Sequence, residues 1–144
     1  MYIIGAMPAV EKNKPAPLDQ LFRALADPTR LRLLNLMSGR EICVCYFIEV
    51  IGVPQSKISR HLAYLRRAGL VAARREGKWM HYRLTVPRES HAASILQTTL
   101  KALKQDKDLQ RDGQQLNRAC CGPASLVHLL GAPLPSPISS VPRQ

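Results

Sequence analysis

A short turn, Gly52-Val53-Pro54, separates two helical patterns, and a strand-turn-strand pattern follows the second. Before the turn, Val44, Phe47, Ile48 and Ile51 recur at i, i+3, i+4 and i+7. After it, Ile58, Leu62 and Leu65 form the apolar side of a helix whose front end carries Gln55, Ser56, Ser59 and Arg60 on the other face. Two short helices joined by a glycine-containing turn, the second presenting hydrogen-bonding side chains at its start, make a helix-turn-helix. A plain amphipathic surface helix would look similar, and the next segment argues against it. Residues 71–75 and 79–84 alternate as strands around Glu76-Gly77-Lys78, so one face of a hairpin can pack on the helices. Arg74, Arg75 and Lys78 lie near its tip, placed as a wing against a DNA backbone or an adjacent minor groove. The pattern predicts a mainly α fold with a small β-hairpin, a winged helix-turn-helix.

Upstream, Leu18, Leu21, Phe22 and Leu25 keep helical spacing, and a second helix begins with Asp27 as cap and Pro28 at its first position, where the missing N–H costs nothing. Leu31, Leu33, Leu34, Leu36 and Met37 make that helix apolar around most of its circumference, as a central buried helix requires; Gly39 ends it. After the wing, Ala92, Ile95, Leu96, Thr99, Leu100 and Leu103 form a stripe with no later helix expected in the chain to cover it. The first helix and a symmetry mate would cover it, closing a two-fold homodimer. Past Asp112 the helical rhythm fades and prolines accumulate. The expected organisation is a flexible arm over 1–17, one DNA-binding and dimerisation domain over 18–111, and a flexible tail over 112–144 that carries cysteines and prolines.

Charge agrees with a nucleic-acid partner. The chain carries 21 Lys+Arg against 10 Asp+Glu, a net +11, and residues 54–84 alone hold eight basic side chains against Glu76. Concentration on one module is the footprint of a phosphate partner rather than of a generally basic surface. Gln55 and Arg60 can pair bidentately with purine edges, while Ser56, Lys57 and Ser59 reach phosphates or bases. No apolar run is long enough to span a bilayer and the N-terminal residues lack a basic leader, so a cytoplasmic protein without a membrane partner is expected. In a reducing compartment the close pairs Cys43/Cys45 and Cys120/Cys121 point to metal or redox chemistry, not to structural disulfides.

The segments LADPTRLRLLNLM, ICVCYF, SKISRHLAYLRRAGLV and RREGKWMHYRL resemble the ArsR/SmtB family of winged-helix metalloregulatory repressors, its arsenic-responsive branch above all, in one register over 18–103. The resemblance implies a homodimer that occupies an inverted-repeat operator in double-stranded DNA and leaves it when a metal or metalloid binds. It places DNA contacts on Gln55, Ser56, Lys57, Ser59, Arg60 and His61 and on the wing residues Arg74, Arg75 and Lys78. Pro54 stands where many members have a capping serine. Zinc sensors of the family use paired carboxylates and histidines on the helix after the wing, where this chain has Glu89 and a lone His91. Arsenic sensors add a third cysteine after the Cys-Val-Cys, at the position of Ile48 here, so the local triad is incomplete.

Thiolates select soft ions, which leaves Cys43, Cys45, Cys120 and Cys121 as the candidate ligands of trivalent arsenic, antimony or methylarsenite, an inducer in place of any permanent cofactor. On one helix, residues two apart diverge by about 200°, so Cys43 and Cys45 would share an ion only if the first turn were distorted. The expectation is that the tail folds back and Cys120 or Cys121 completes the site, from the same or the partner subunit. A thiol-redox switch is the alternative within the same fold. A thiol enzyme or arsenic-carrying protein without DNA function fits least, because no Cys-x-x-Cys stands at a strand-helix junction and no nucleophile-base pair is visible; the chain is not expected to be an enzyme.

Overall fold

Asp27 opens the central helix as its sequence requires: its carboxylate accepts the N–H of Arg30 at 3.0 Å and Pro28 follows at the first turn. The computed structural model describes residues 16–121 and 126–137. The chain runs α1 (Leu18–Leu25), α2 (Pro28–Leu36), β1 (Arg40–Cys43), α3 (Val44–Ile51), α4 (Gln55–Arg67), β2 (Val71–Glu76), β3 (Trp79–Leu84), α5 (Ser90–Lys104), α6 (Lys107–Cys121), α7 (Leu126–Leu130) and β4 (Ser136–Pro137). This is a winged helix-turn-helix with an added C-terminal segment.

Leu33, Leu34 and Leu36 of α2 and Met37 at its C-cap are fully buried, and Phe47, Ile58, Leu62 and Leu65 close around them. The stripe on α4 is the expected one. On α3 the buried side is Tyr46, Phe47, Val50 and Ile51, with Val44 and Ile48 only partly covered. The buried face differs from the expected one because α3 packs on α6 and β3 as well as on α2 and α4. Gly52 ends α3 at φ 75°, a left-handed conformation that a side chain would strain.

Arg30 ties α1 to α2, its Nε and Nη2 donating to the last-turn carbonyls of Ala24 and Arg23 at 2.9 and 2.7 Å. Leu21, Ala24 and Leu25 of α1 face the core, whereas Leu18 and Phe22 are half exposed.

The sheet has the order β2-β3-β1-β4, all pairs antiparallel. Strand β1 adds to the expected hairpin by pairing Ile42 with Tyr82 and Cys43 with His81. On its other edge, Arg40 and Glu41 pair with Pro137 and Ser136 of β4.

The C-terminal segment departs from expectation. Within the expected tail over 112–144, the described residues hold regular structure: α6 runs through Asp112 to Cys121, and α7 and β4 follow. Asp106 accepts the N–H groups of Asp108 and Leu109 at the start of α6. Leu109, Asp112, Leu116 and Ala119 form its buried face. The rhythm escapes a hydrophobic count because its second place is a carboxylate, paired bidentately with Arg32 at 2.8 and 2.9 Å. Helix α5 therefore does have intrachain partners, α2 and α6, with Leu96 and Leu103 buried. The arm over 1–17 lies, up to residue 15, outside the described residues.

Candidate nucleic-acid interface and thiol site

Helix α4 presents Gln55, Ser56, Lys57 and Arg60 to solvent, with Ser59 half-buried beside them. Its apolar side is anchored on α2, so the polar front is held rigidly outward. Pro54 provides no side-chain cap; its carbonyl accepts the N–H groups of Lys57 and Ile58 instead. The positive end of the α4 dipole thus joins Lys57 and Arg60 at the same surface, a combination that favours phosphate. His61 does not share this exposure: its Nδ1 lies 3.8 Å from Asp27 Oδ1 and 3.4 Å from Arg30 Nη1, turned back toward the start of α2.

In the wing, Gly77 takes φ 57° at the turn, and the exposed Arg75 and Lys78 flank it. Lys78 lies over the Trp79 ring at 4.9 Å, and Arg75 Nε donates to Gly77 O at 3.2 Å. Arg74, grouped with them on sequence, is engaged elsewhere. Its Nε and Nη2 donate to Glu41 Oε1 at 3.1 and 2.6 Å and its Nη1 to Glu76 at 2.9 Å.

The largest correction concerns the cysteines of β1 and α3. Cys43 is not in the helix; it is the N-cap residue, extended at φ −68° and ψ 143° and held by its pairing with His81. A residue in the strand and one in the first helical turn converge where two helical residues would diverge. Cys45 Sγ donates to Cys43 Sγ at 3.4 Å, without any unwinding. Cys43 is buried, Cys45 half-buried. The Cys45 thiol, helped by the N–H groups of Cys45, Val44 and Met80, pulls the Cys43 pKa down from 9.0 to about 7 against the opposing effect of burial. Donation to Cys43, burial and the Cys43 charge push the Cys45 thiol upward in turn. The pair therefore gives up one proton near neutrality and holds the other.

Cys120 is half-buried near the end of α6 and donates to Asn117 O at 3.4 Å. The side chain of Cys121 lies outside the described residues. Among the described residues, no group of three or more His, Cys, Asp or Glu side chains stands together as a metal site. The structure thus joins Cys43 with Cys45 and does not bring Cys120 to them. Helix α6 does pack on α3, the helix that carries Cys45. Residues 27–73 match the model of the bacterial regulatory protein, arsR family. The arsenical resistance operon repressor of Escherichia coli K12 is 49% identical over 78 residues, which span 54% of this chain and 67% of that protein.

The chain belongs to the ArsR family.

Other relatives agree with the assignment. The arsenic resistance transcriptional regulator ArsR2 of Pseudomonas putida KT2440 is 42% identical over 86 residues, 59% of this chain and 75% of its own length. Among solved structures, HlyU from Vibrio cholerae N16961 superposes with a TM-score of 0.52 at 29% identity, covering 60% of this chain and 91% of HlyU. As an ArsR-family protein the chain is a winged-helix DNA-binding transcription regulator, and its relatives are regulators rather than enzymes. No helix among the described residues is long and apolar enough to cross a membrane.

Sequence reasoning missed Glu41, His81, Arg32 and Asp112. Glu41 is 1% exposed, beneath Arg74, and His81 is buried between Glu41 and Glu76. Burial and the Arg74 charge lower the His81 pKa against the opposing pull of Glu41 and Glu76. The alternation around β3 was the only signal that could have pointed to His81, and strand β1 left no local signal.

Proposed function

We propose that this chain is a metalloid-responsive repressor that holds an inverted-repeat operator as a homodimer and leaves it when Cys43 and Cys45 take up trivalent arsenic, or antimony or methylarsenite. The 3.4 Å separation of the two sulfurs carries the reading. With each sulfur about 2.3 Å from a soft ion, that separation subtends about 95°, tighter than the ~109° of a tetrahedral centre and suited to a three-coordinate, pyramidal ion. Cys120 or Cys121 would supply a third sulfur for an inorganic ion, and the pair alone suffices for methylarsenite. The names of the Escherichia coli and Pseudomonas putida relatives support arsenic as the signal. The half-exposed Leu18 and Phe22 of α1 support a dimer that covers them.

In operator binding, Gln55 and Arg60 read base edges, Ser56, Lys57 and Ser59 hold phosphate, and Arg75 and Lys78 extend the contact through the wing. The test is fluorescence anisotropy on a duplex selected by the ligand-free protein, titrated with arsenite, for wild type and each single Cys→Ser variant. Release of the wild type, lost in Cys43→Ser and Cys45→Ser, is expected. Equal release by all four variants would refute the site.

A second reading, a thiol-redox repressor, gains support from the low pKa of Cys43, since the thiolate is the form that oxidises. Peroxide-driven release without arsenite, reversed by a reductant, would favour it.

A further inference from the structure

Cys43 of β1 pairs with His81 of β3, and His81 pairs with Arg74 of β2, so the three residues form one rung across the sheet. Directly paired residues share a face, and so do residues two apart on a strand. Glu41 and Glu76 therefore lie on the same face as the rung. Five consecutive chemical groups, Glu41, Cys43, His81, Arg74 and Glu76, run from the thiol pair to the wing with no helix between them.

The linkage is strongest at one contact. Glu41, two residues from Cys43, is 1% exposed, and its Oε1 accepts both Nε and Nη2 of Arg74. His81, its side chain 5% exposed, fills the space between, with Nδ1 3.9 Å from Glu41 Oε1 and Nε2 3.5 Å from Glu76 Oε2. A carboxylate so deeply buried depends on its one cation and does not tolerate separation from it. Glu41 Oε2 has no hydrogen-bond partner among the described residues, and Arg74, at 2.6 Å against 3.9 Å for His81, is the nearest cation to this carboxylate there. Movement of the end of β1 must then carry Arg74 with it. Arg74 sits in β2, two residues before Glu76 at the wing turn, so the hairpin follows.

We infer that the Glu41–Arg74 ion pair is the element that couples the Cys43–Cys45 site to the wing. Glu41 acts as a positioning residue, and Arg74 serves the transmission of the signal rather than a phosphate contact. This rests on the proposed function, because it requires that occupancy of the thiol pair change operator affinity. Two sites are coupled only through an element whose state both bias, and the ion pair touches one strand from each.

The experiment compares wild type, Glu41→Gln, Arg74→Gln, the double variant and Glu76→Gln. Three quantities are read: operator affinity with and without sodium arsenite, arsenite stoichiometry, and emission of Trp79, the only tryptophan, which stands on the wing opposite Glu76. Glu41→Gln is expected to bind arsenite and to keep its ligand-free operator affinity, while the arsenite-induced loss of affinity shrinks about tenfold and Trp79 stops responding. Arg74→Gln should lose the same coupling, and the double variant no more than either single change. Glu76→Gln, exposed at the turn, should couple as wild type. In ligand-free protein, amides of 71–84 should exchange faster in Glu41→Gln than in Glu76→Gln. A merely structural ion pair would lower the melting temperature and leave the coupling ratio unchanged. Wild-type ratios in Glu41→Gln and Arg74→Gln would overturn the inference and leave the proposed function standing. Wild-type protein that keeps its operator in arsenite would overturn both. Should either single variant fail to fold, the double variant decides in its place, since it leaves neither the buried carboxylate nor the guanidinium without a partner.

Discussion

Replacing Cys45 by alanine removes the donor that acidifies Cys43, and two measurements should register it. An ordinary thiol of pKa 9.0 is about 1% ionised at pH 7, and one at about 7 is about half ionised. In Cys45→Ala the opposing effect of burial remains while its main counterweight is gone, so the Cys43 pKa must rise. The thiolate absorbance of the folded protein should lose its step near pH 7, leaving only the ordinary, higher transitions. Placing Cys120→Ser and Cys121→Ser in both proteins removes other thiols from the signal.

The same acidity has a stability consequence whose sign follows from the two shifts. The folded pair releases its first proton near pH 7, below the unfolded value of 9.0, and this contribution is lost as pH falls through 7. The second proton is held above the unfolded value, so that benefit disappears once both thiols of the unfolded chain ionise. The pair should therefore add about 2 kcal/mol between pH 6 and 9, peak near pH 9 and then decline. Urea unfolding of wild type against Cys45→Ala under a non-thiol reductant, at pH 6, 7, 8, 9 and 10, reads the difference. Loss of the small Cys45 side chain gives a constant offset, and only the slope carries the thiol contribution. A stability difference that is flat from pH 6 to 9, or a Cys45→Ala protein that keeps its step near pH 7, would refute the assignment of the low pKa to Cys45.

Two further outcomes test the other parts of the fold. Asp112→Ala leaves the partly buried Arg32 without its bidentate partner, and should cost about 2 to 3 kcal/mol in urea unfolding, between the values of exposed and buried pairs; a loss under 0.5 kcal/mol would mean that α6 is held by its leucines alone. Arg60→Ala should weaken operator binding and relax base preference at one position, whereas Lys57→Ala should weaken all sequences alike and reduce the salt slope by about 1; identical behaviour of the two would contradict the division into base and phosphate contacts.

What was legible in the sequence was local. Asp27-Pro28, the Ile58-Leu62-Leu65 stripe and the Gly77 turn each specify their element through neighbours a few residues away, and the structure has all three where expected. What was not legible depends on partners far along the chain. Cys43 is extended because β1 pairs with β3 some forty residues later, and nothing near Cys43 announces that pairing. Starting α3 one residue after Cys43 turns an angular divergence of about 200° into a sulfur contact, so a boundary shift of one residue reverses the chemical conclusion. Helix α6 was hidden for a related reason: Asp112 completes its inner face only because Arg32, eighty residues earlier, waits beneath it.

These two long-range features meet at the thiols and bear on how a third sulfur would arrive. Strand β4 occupies the edge of β1 that faces away from the wing, and α6 packs on α3, so the C-terminal segment touches both elements that carry the Cys43–Cys45 pair. The two sulfurs of the pair are already gathered at 3.4 Å, so no helix has to unwind to bring them together. The cost of a third ligand falls instead on the last turn of α6, where Cys120 would exchange its 3.4 Å bond to Asn117 O for the site. A final helical turn opens at smaller cost than the middle of a helix, because fewer intrahelical hydrogen bonds hold it. Under the proposed function, inorganic arsenite would therefore be distinguished from methylarsenite by whether that turn opens. Cys120→Ser and Cys121→Ser together should weaken the response to arsenite and spare the response to methylarsenite. Equal loss of both responses would place the tail cysteines in a structural role and return the whole of the recognition to β1 and α3.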